Sequence, residues 1–203
     1  MTKIKICGLT RLVDIGFVNK YKPDYIGFVF AKSKRHITDE KAFELKQNLN
    51  KEILAIGVFV NDSIAHIADL VNKNVIDVIQ LHGDENKEYI DELKNKVSVP
   101  IIKAVRVQTK EQIMKANKLG ADNLLLDTYV KGSYGGSGKE FNLNLLPKES
   151  NNFFLAGGVT CENVENMIKT ASPYCIDVSS GVETDGVKDE EKIKKIIDIV
   201  RKQ

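Results

Sequence analysis

The chain has 203 residues, 42% of them hydrophobic and 29% charged, with 14 Gly and 4 Pro, so it can bury a substantial core and is neither disordered nor low-complexity. Thirty Lys and Arg set against 28 Asp and Glu leave a net charge of +2, which offers no basic field to a nucleic-acid backbone. Three dispersed cysteines, Cys7, Cys161 and Cys175, suit a reducing compartment, and neither a signal peptide nor a membrane-length apolar run is visible, so a cytoplasmic protein without nucleic-acid or membrane partners is expected.

In chain order, short apolar bursts run from Ile4 to Cys7, Tyr25 to Phe30, Ile53 to Val60 and Val75 to Leu81. They continue from Val99 to Val105, Leu124 to Leu126, Phe153 to Ala156 and Cys175 to Val178. Most are continuous rather than alternating, as parallel strands covered on both faces require. The stretches between them carry helical spacing. Ser63 to Asn72 aligns Ile64, Ile67, Ala68 and Val71, and Thr109 to Leu119 aligns Ile113, Ala116 and Leu119. Thr38 before Asp39-Glu40, Thr109 with Gln112 three residues on, and Gly120 read as helix caps. Asp189 to Val200 predicts a closing outer helix through Ile193, Ile196, Ile197 and Val200. Eight strand-helix units of roughly 20–30 residues predict one α/β domain over residues 1–203, a (β/α)8 TIM barrel. A doubly wound open sheet is the alternative, and it would leave two units unplaced.

In such a barrel, side chains at the C-terminal ends of the strands meet at one mouth. Gly157-Gly158 after strand 7 and Ser179-Ser180-Gly181 after strand 8 stand at the usual phosphate-binding corner, although tight turns alone would also use glycine there. Cys7 ends strand 1 and could be a base or nucleophile if a positive neighbour ionised it; otherwise it is a small buried hydrophobe. Cys175 opens a strand and reads as packing, and Cys161 as a helix-start residue. Asp127 follows Leu124-Leu125-Leu126, where one-sided desolvation favours the protonated form a general acid needs, although a structural cap would also place it there. Arg35, one of four arginines, offers a planar bidentate grip on a carboxylate in a Lys-rich loop. His82 could touch a ligand from strand 4. No histidine has metal-ligand spacing, so no metal is expected. The segment Tyr134 to Lys139 reads as a glycine-rich lid. A Schiff-base lysine at Lys103 would make a rival sugar-phosphate enzyme, and a non-catalytic phosphosugar-binding module is a second alternative.

Together these residues resemble the phosphoribosylanthranilate isomerase family over essentially the whole chain. The resemblance rests on Lys5-Ile6-Cys7-Gly8-Leu9-Thr10, Gly27-Phe28-Val29-Phe30 with Ser33-Lys34-Arg35, and Gly57-Val58-Phe59-Val60. It continues through Gln80-Leu81-His82-Gly83, Leu125-Leu126-Asp127-Thr128, Ala156-Gly157-Gly158 and Asp177 to Glu183. It implies an Amadori rearrangement in tryptophan biosynthesis, with no cofactor and a small phosphoribosyl substrate, and it points to no obligate protein partner. By that resemblance Asp127 is the general acid and Cys7 the general base. Arg35 holds the anthranilate carboxylate, Gly157, Gly158, Ser180 and Gly181 the phosphate, and Asp177 a sugar hydroxyl.

Overall fold

A computed structural model describes residues 1–128, 141–146 and 152–203. Eight parallel strands close into a barrel in chain order: β1 (Lys3–Cys7), β2 (Tyr25–Val29), β3 (Leu54–Phe59), β4 (Val78–Leu81), β5 (Ile101–Val107), β6 (Asn123–Thr128), β7 (Phe153–Leu155) and β8 (Cys175–Val178). Pairing of Lys3 to Ile6 with Cys175 to Val178 joins β8 back to β1. The expected barrel is therefore the observed one. Outside it run α1 (Leu12–Tyr21), α2 (Asp39–Gln47), α3 (Ile64–Asn72), α4 (Lys87–Lys94), α5 (Lys110–Ala116), α6 (Val164–Ala171) and α7 (Glu190–Arg201).

Local signals explain these boundaries. Thr38 accepts from the Lys41 N–H and Ser63 from that of His66, so each N-cap satisfies an orphan donor. Thr109 and Gln112 form the capping box, and Gly120 ends the segment in a left-handed conformation at φ 85°. The stretch after Thr109 is helical only to Ala116 and tightens into a 3-10 turn over Asn117–Leu119. Between β6 and β7 the described residues include a 3-10 turn, Leu143–Leu145. The glycine-rich stretch Tyr134 to Lys139 lies outside the described residues. After β8 comes a 3-10 turn, Ser180–Val182, and an antiparallel hairpin of β9 (Glu183–Thr184) and β10 (Val187–Lys188), which apolar periodicity does not mark.

Side chains alternate along each strand between the barrel interior and the surrounding helices. Tyr25, Ile56, Val78, Ile102, Leu125, Phe154 and Cys175 fill the interior, whereas Ile4, Ile6, Ile101 and Leu126 pack outward against the helices. Each large apolar side chain so buried contributes about 1.5–3 kcal/mol. Cys175 is fully buried and its thiol is pushed well up by burial, which is the packing role expected of it. Cys161 sits in the turn before α6 rather than in the helix, with its Sγ 3.7 Å from the Lys192 carbonyl of α7. At the N-terminal ends of the strands Lys3 Nζ donates to Tyr174 Oη at 2.8 Å, and the Tyr25 and Tyr174 hydroxyls lie 3.0 Å apart. That aromatic plug closes the bottom and leaves the top for chemistry.

Candidate active site

Lys5 and Cys7 lie two residues apart on β1 and so face the same interior. Cys7 ends the strand just below the mouth at 8% exposure. Its sulfur depends on Gly27 of β2, since a Cβ there would stand 2.6 Å from Sγ. Gly8 follows at φ 83°, and a Cβ on it would overlap Arg35 Cδ, so the arginine crosses the end of β1 beside Cys7. Burial pushes the Cys7 thiol up, and the positive charges of Lys5 and Lys188 only partly offset it. The positive neighbours that an ionised Cys7 requires are therefore present.

Lys5 has no exposed surface, which for a lysine demands pairing. Its Nζ donates to Asp177 Oδ2 and to Gln80 Oε1, each at 2.8 Å. Burial works against its charge, but Asp177 and the neighbouring Cys7 outweigh that and hold the ammonium above the ordinary lysine range. Gln80 and His82, again two residues apart, carry the contact across the barrel. Gln80 Nε2 is 3.0 Å from His82 Nδ1, and His82 Nε2 is 3.4 Å from Asp127 Oδ2 at the end of β6. Asp127 Oδ1 accepts from the Thr128 N–H at 2.7 Å. Three buried side-chain atoms, His82 Nε2, Thr128 Oγ1 and Asp177 Oδ1, make no hydrogen bond among the described residues.

Arg35 meets Glu183 rather than open solvent. Glu183 in turn accepts from Lys188 Nζ at 2.6 Å, and Lys188 also donates to the Ser179 carbonyl at 2.9 Å. Burial would raise the Glu183 carboxyl, but hydrogen bonds from Arg35 and Lys188 hold it below the usual range. Burial lowers Lys188, and Glu183 restores only part of that.

The two small-residue turns lie on neighbouring strands. Gly157 and Gly158 both have positive φ, 93° and 61°, and Asn163 Nδ2 ties the turn down by donating to the Gly158 carbonyl at 2.9 Å. Ser180 and Gly181 open the 3-10 turn after β8, and a Cβ on Gly181 would overlap the Val159 carbonyl. The N–H groups of Gly157, Gly158, Ser180 and Gly181 have no backbone partner among the described residues. Amides without a backbone partner on two adjacent turns suit an anion.

Every site residue expected from the sequence thus comes to the mouth, whereas Lys103 does not. It alternates with the interior residues Ile102 and Ala104 and faces outward, where Nζ donates to Glu85 Oε2 and the Gly83 carbonyl, both at 2.7 Å. An ammonium so engaged cannot present a free amine to a sugar carbonyl, which removes the observation behind the Schiff-base reading. Lys5, Gln80, Glu183 and Lys188 bond to or adjoin the expected site residues, and motif and position alone do not single them out. For Lys5 and Gln80 a signal exists, since Lys5 stands two residues before Cys7 on β1 and Gln80 two residues before His82, just past the end of β4.

The sequence model of "N-(5'phosphoribosyl)anthranilate (PRA) isomerase" matches residues 4–199. The chain belongs to this family. An N-(5'-phosphoribosyl)anthranilate isomerase of Lachnoclostridium phytofermentans is 50% identical, with 96% of this chain and 95% of the relative covered. The crystal structure of phosphoribosyl anthranilate isomerase from Thermotoga maritima superposes with a TM-score of 0.89 at 35% identity, with all of both chains covered. A phosphoribosyl anthranilate isomerase in complex with reduced 1-(o-carboxyphenylamino)-1-deoxyribulose 5-phosphate superposes at 0.85 with 33% identity, again over all of both chains. Phosphoribosylanthranilate isomerase activity, in tryptophan biosynthesis, is therefore the activity of this chain. Among the described residues no helix is long and apolar enough to cross a membrane.

Proposed function

We propose that the chain is one catalytic domain, working in the cytoplasm, that converts N-(5-phosphoribosyl)anthranilate to 1-(2-carboxyphenylamino)-1-deoxyribulose 5-phosphate with Asp127 as general acid and Cys7 as general base. Asp127 gives its proton to the ribose ring oxygen as the C1–O bond breaks, and the nitrogen lone pair forms the C1=N bond. The Cys7 thiolate then removes the C2 proton, and that C–H electron pair becomes the C1=C2 bond while the C1=N pair returns to nitrogen. The enolamine tautomerises to the ketone at C2. C1 is reduced and C2 oxidised within one molecule, so no external electron acceptor enters the balance.

The observation that carries this reading is the order of groups around the mouth. Asp127, the Gly157-Gly158 turn, the Ser180-Gly181 turn and Cys7 stand on β6, β7, β8 and β1, which are consecutive in the closed barrel. A phosphate held on the two turns leaves the sugar between acid and base. The Asp177 Oδ1 atom, buried and without a protein partner among the described residues, suits a sugar hydroxyl. Arg35, lying over Gly8 beside Cys7, suits the carboxylate at the aromatic end.

The test is Cys7→Ala and Asp127→Asn, each followed through loss of the fluorescent anthranilate substrate and through binding of the reduced product analogue. Removing a positioned acid or base costs about 10²- to 10⁴-fold in kcat, with binding retained. Turnover near wild type in either variant would remove that residue from its role.

A further inference from the structure

Five polar side chains stand in a row beneath the mouth from the proposed base to the proposed acid, hydrogen-bonded from Lys5 through Gln80 to His82. Cys7 neighbours Lys5, Lys5 bonds Gln80, Gln80 meets His82, and His82 faces Asp127. Four of the five, Lys5, Gln80, His82 and Asp127, are polar or charged groups at no more than 7% exposure, so water cannot easily reorient them. The direction of each bond then follows from the chemistry of its ends.

An ammonium is a donor only. Gln80 must therefore turn its carbonyl oxygen to Lys5, as observed at 2.8 Å, because the reverse orientation would set an amide NH2 against the ammonium. With Oε1 committed, the atom Gln80 presents to His82 is Nε2, a donor. His82 Nδ1 must then accept, since a proton on Nδ1 would put two donors face to face at 3.0 Å. A neutral imidazole with a bare Nδ1 carries its proton on Nε2. That is the atom 3.4 Å from Asp127 Oδ2. Asp127 Oδ1 is already held by the Thr128 amide, so Oδ2 is the oxygen left to exchange a proton with substrate.

We propose that Lys5 and Gln80 are positioning residues for the acid. The fixed charge of Lys5 sets the Gln80 amide, the amide sets the His82 tautomer, and the His82 Nε2–H, 3.4 Å from Asp127 Oδ2 and not bonded to it in the free enzyme, is the donor placed to turn toward that oxygen as negative charge develops on it. This inference rests on the proposed role of Asp127. A contact of 3.4 Å in the free enzyme is the length expected of a bond that tightens as the transition state forms. The same ammonium lies against Cys7, so a single buried lysine serves both ends of the proton transfer.

The test reads the tautomer directly, by nitrogen-15 NMR of histidine-labelled protein, with His82 assigned by its absence in His82→Gln. The wild type is expected to show a pyridine-type Nδ1 and a pyrrole-type Nε2 at His82. Gln80→Glu, close to isosteric, places an acceptor opposite Nδ1 and is expected to move the proton there. Nε2 then becomes an acceptor that competes with substrate for the proton of Asp127. kcat should fall by about 10²-fold, the scale of losing one donor aimed at developing charge, with KM little changed. A proton on Nδ1 in the wild type overturns the proposal, as does a Gln80→Glu enzyme with an unaltered His82 spectrum and wild-type kcat. Should Gln80→Glu fail to fold, the wild-type spectrum alone decides. The spectrum needs no turnover, so a failure of the tautomer assignment is distinguishable from a failure of the acid role tested by Asp127→Asn.

Discussion

Arg35 and Glu183 are joined edge to edge: Nε donates to Oε1 at 2.7 Å and Nη2 to Oε2 at 2.8 Å across 148 residues of sequence. The glutamate takes the side edge of the guanidinium, the one formed by Nε and Nη2. A pair of charge-assisted bonds fixes orientation as well as position. Glu183→Gln keeps the shape and removes the charge, so Arg35 should lose its aim. A rise in KM of about 10-fold is expected, one 1.4 kcal/mol step, with kcat reduced less. Steady-state kinetics that left KM unchanged would show that Arg35 needs no such partner.

The Cys7 thiol, pushed up by burial against the pull of Lys5 and Lys188, should be alkylated slowly at neutral pH and faster as pH rises. The sign follows from the thiolate being the reactive form. Iodoacetamide labelling of the free enzyme, followed by mass spectrometry at Cys7, is expected to give a midpoint above the ordinary cysteine value of about 8.5. A midpoint below it would mean that the two lysines outweigh burial.

Gly181→Ala and Gly16→Ala should act in opposite directions. A methyl group on Gly181 meets the Val159 carbonyl, so the two turns must separate and KM should rise as their amides diverge. Gly16 is exposed within α1, and a Cβ there meets nothing within 4 Å. Alanine should stabilise the fold by about 0.5–1 kcal/mol through helix propensity, seen as a higher urea midpoint with unchanged kinetics. A Gly16→Ala midpoint at or below wild type would contradict the expected gain in α1.

His66 on α3 stands between two carboxylates, with Nδ1 2.9 Å from Asp62 and Nε2 3.0 Å from Asp39. Burial lowers its basicity, but the hydrogen bonds to both aspartates outweigh that and raise it. A raised folded-state value means the stabilisation is complete below the unfolded value of about 6.5 and is lost as pH climbs through the folded one. The Tm difference between wild type and His66→Gln should therefore be larger in mildly acidic buffer than in alkaline buffer. An equal difference at both would mean that the imidazolium charge contributes nothing.

The barrel is legible in the sequence because its cause is local. Continuous runs such as Ile53 to Val60 can only be covered on both faces, and the caps at Thr38 and Thr109 lie within four residues of what they cap. Cys7, Asp127 and the glycine turns are legible because strand ends meet at one mouth. Lys5 is legible only in part, since its two-residue spacing from Cys7 turns it inward but its partner Asp177 stands 172 residues away. Glu183 is likewise hidden by distance, standing in a hairpin that periodicity does not mark. Lys103 is a matter of parity, since one residue's shift along β5 turns a side chain from the interior to the helices.

The ribosome delivers Cys7, Arg35 and His82 with the first four strands and Asp127, Asp177 and Glu183 with the last four. Lys5 leaves the exit tunnel long before its counter-charge is made, and stripping water from an unpaired ammonium costs several kcal/mol. The Lys5–Asp177 pair can therefore form only after β8 has been made and has paired with β1. A chain released early carries the base and the arginine but no working mouth, so catalysis arrives in one step at the end of synthesis rather than by degrees.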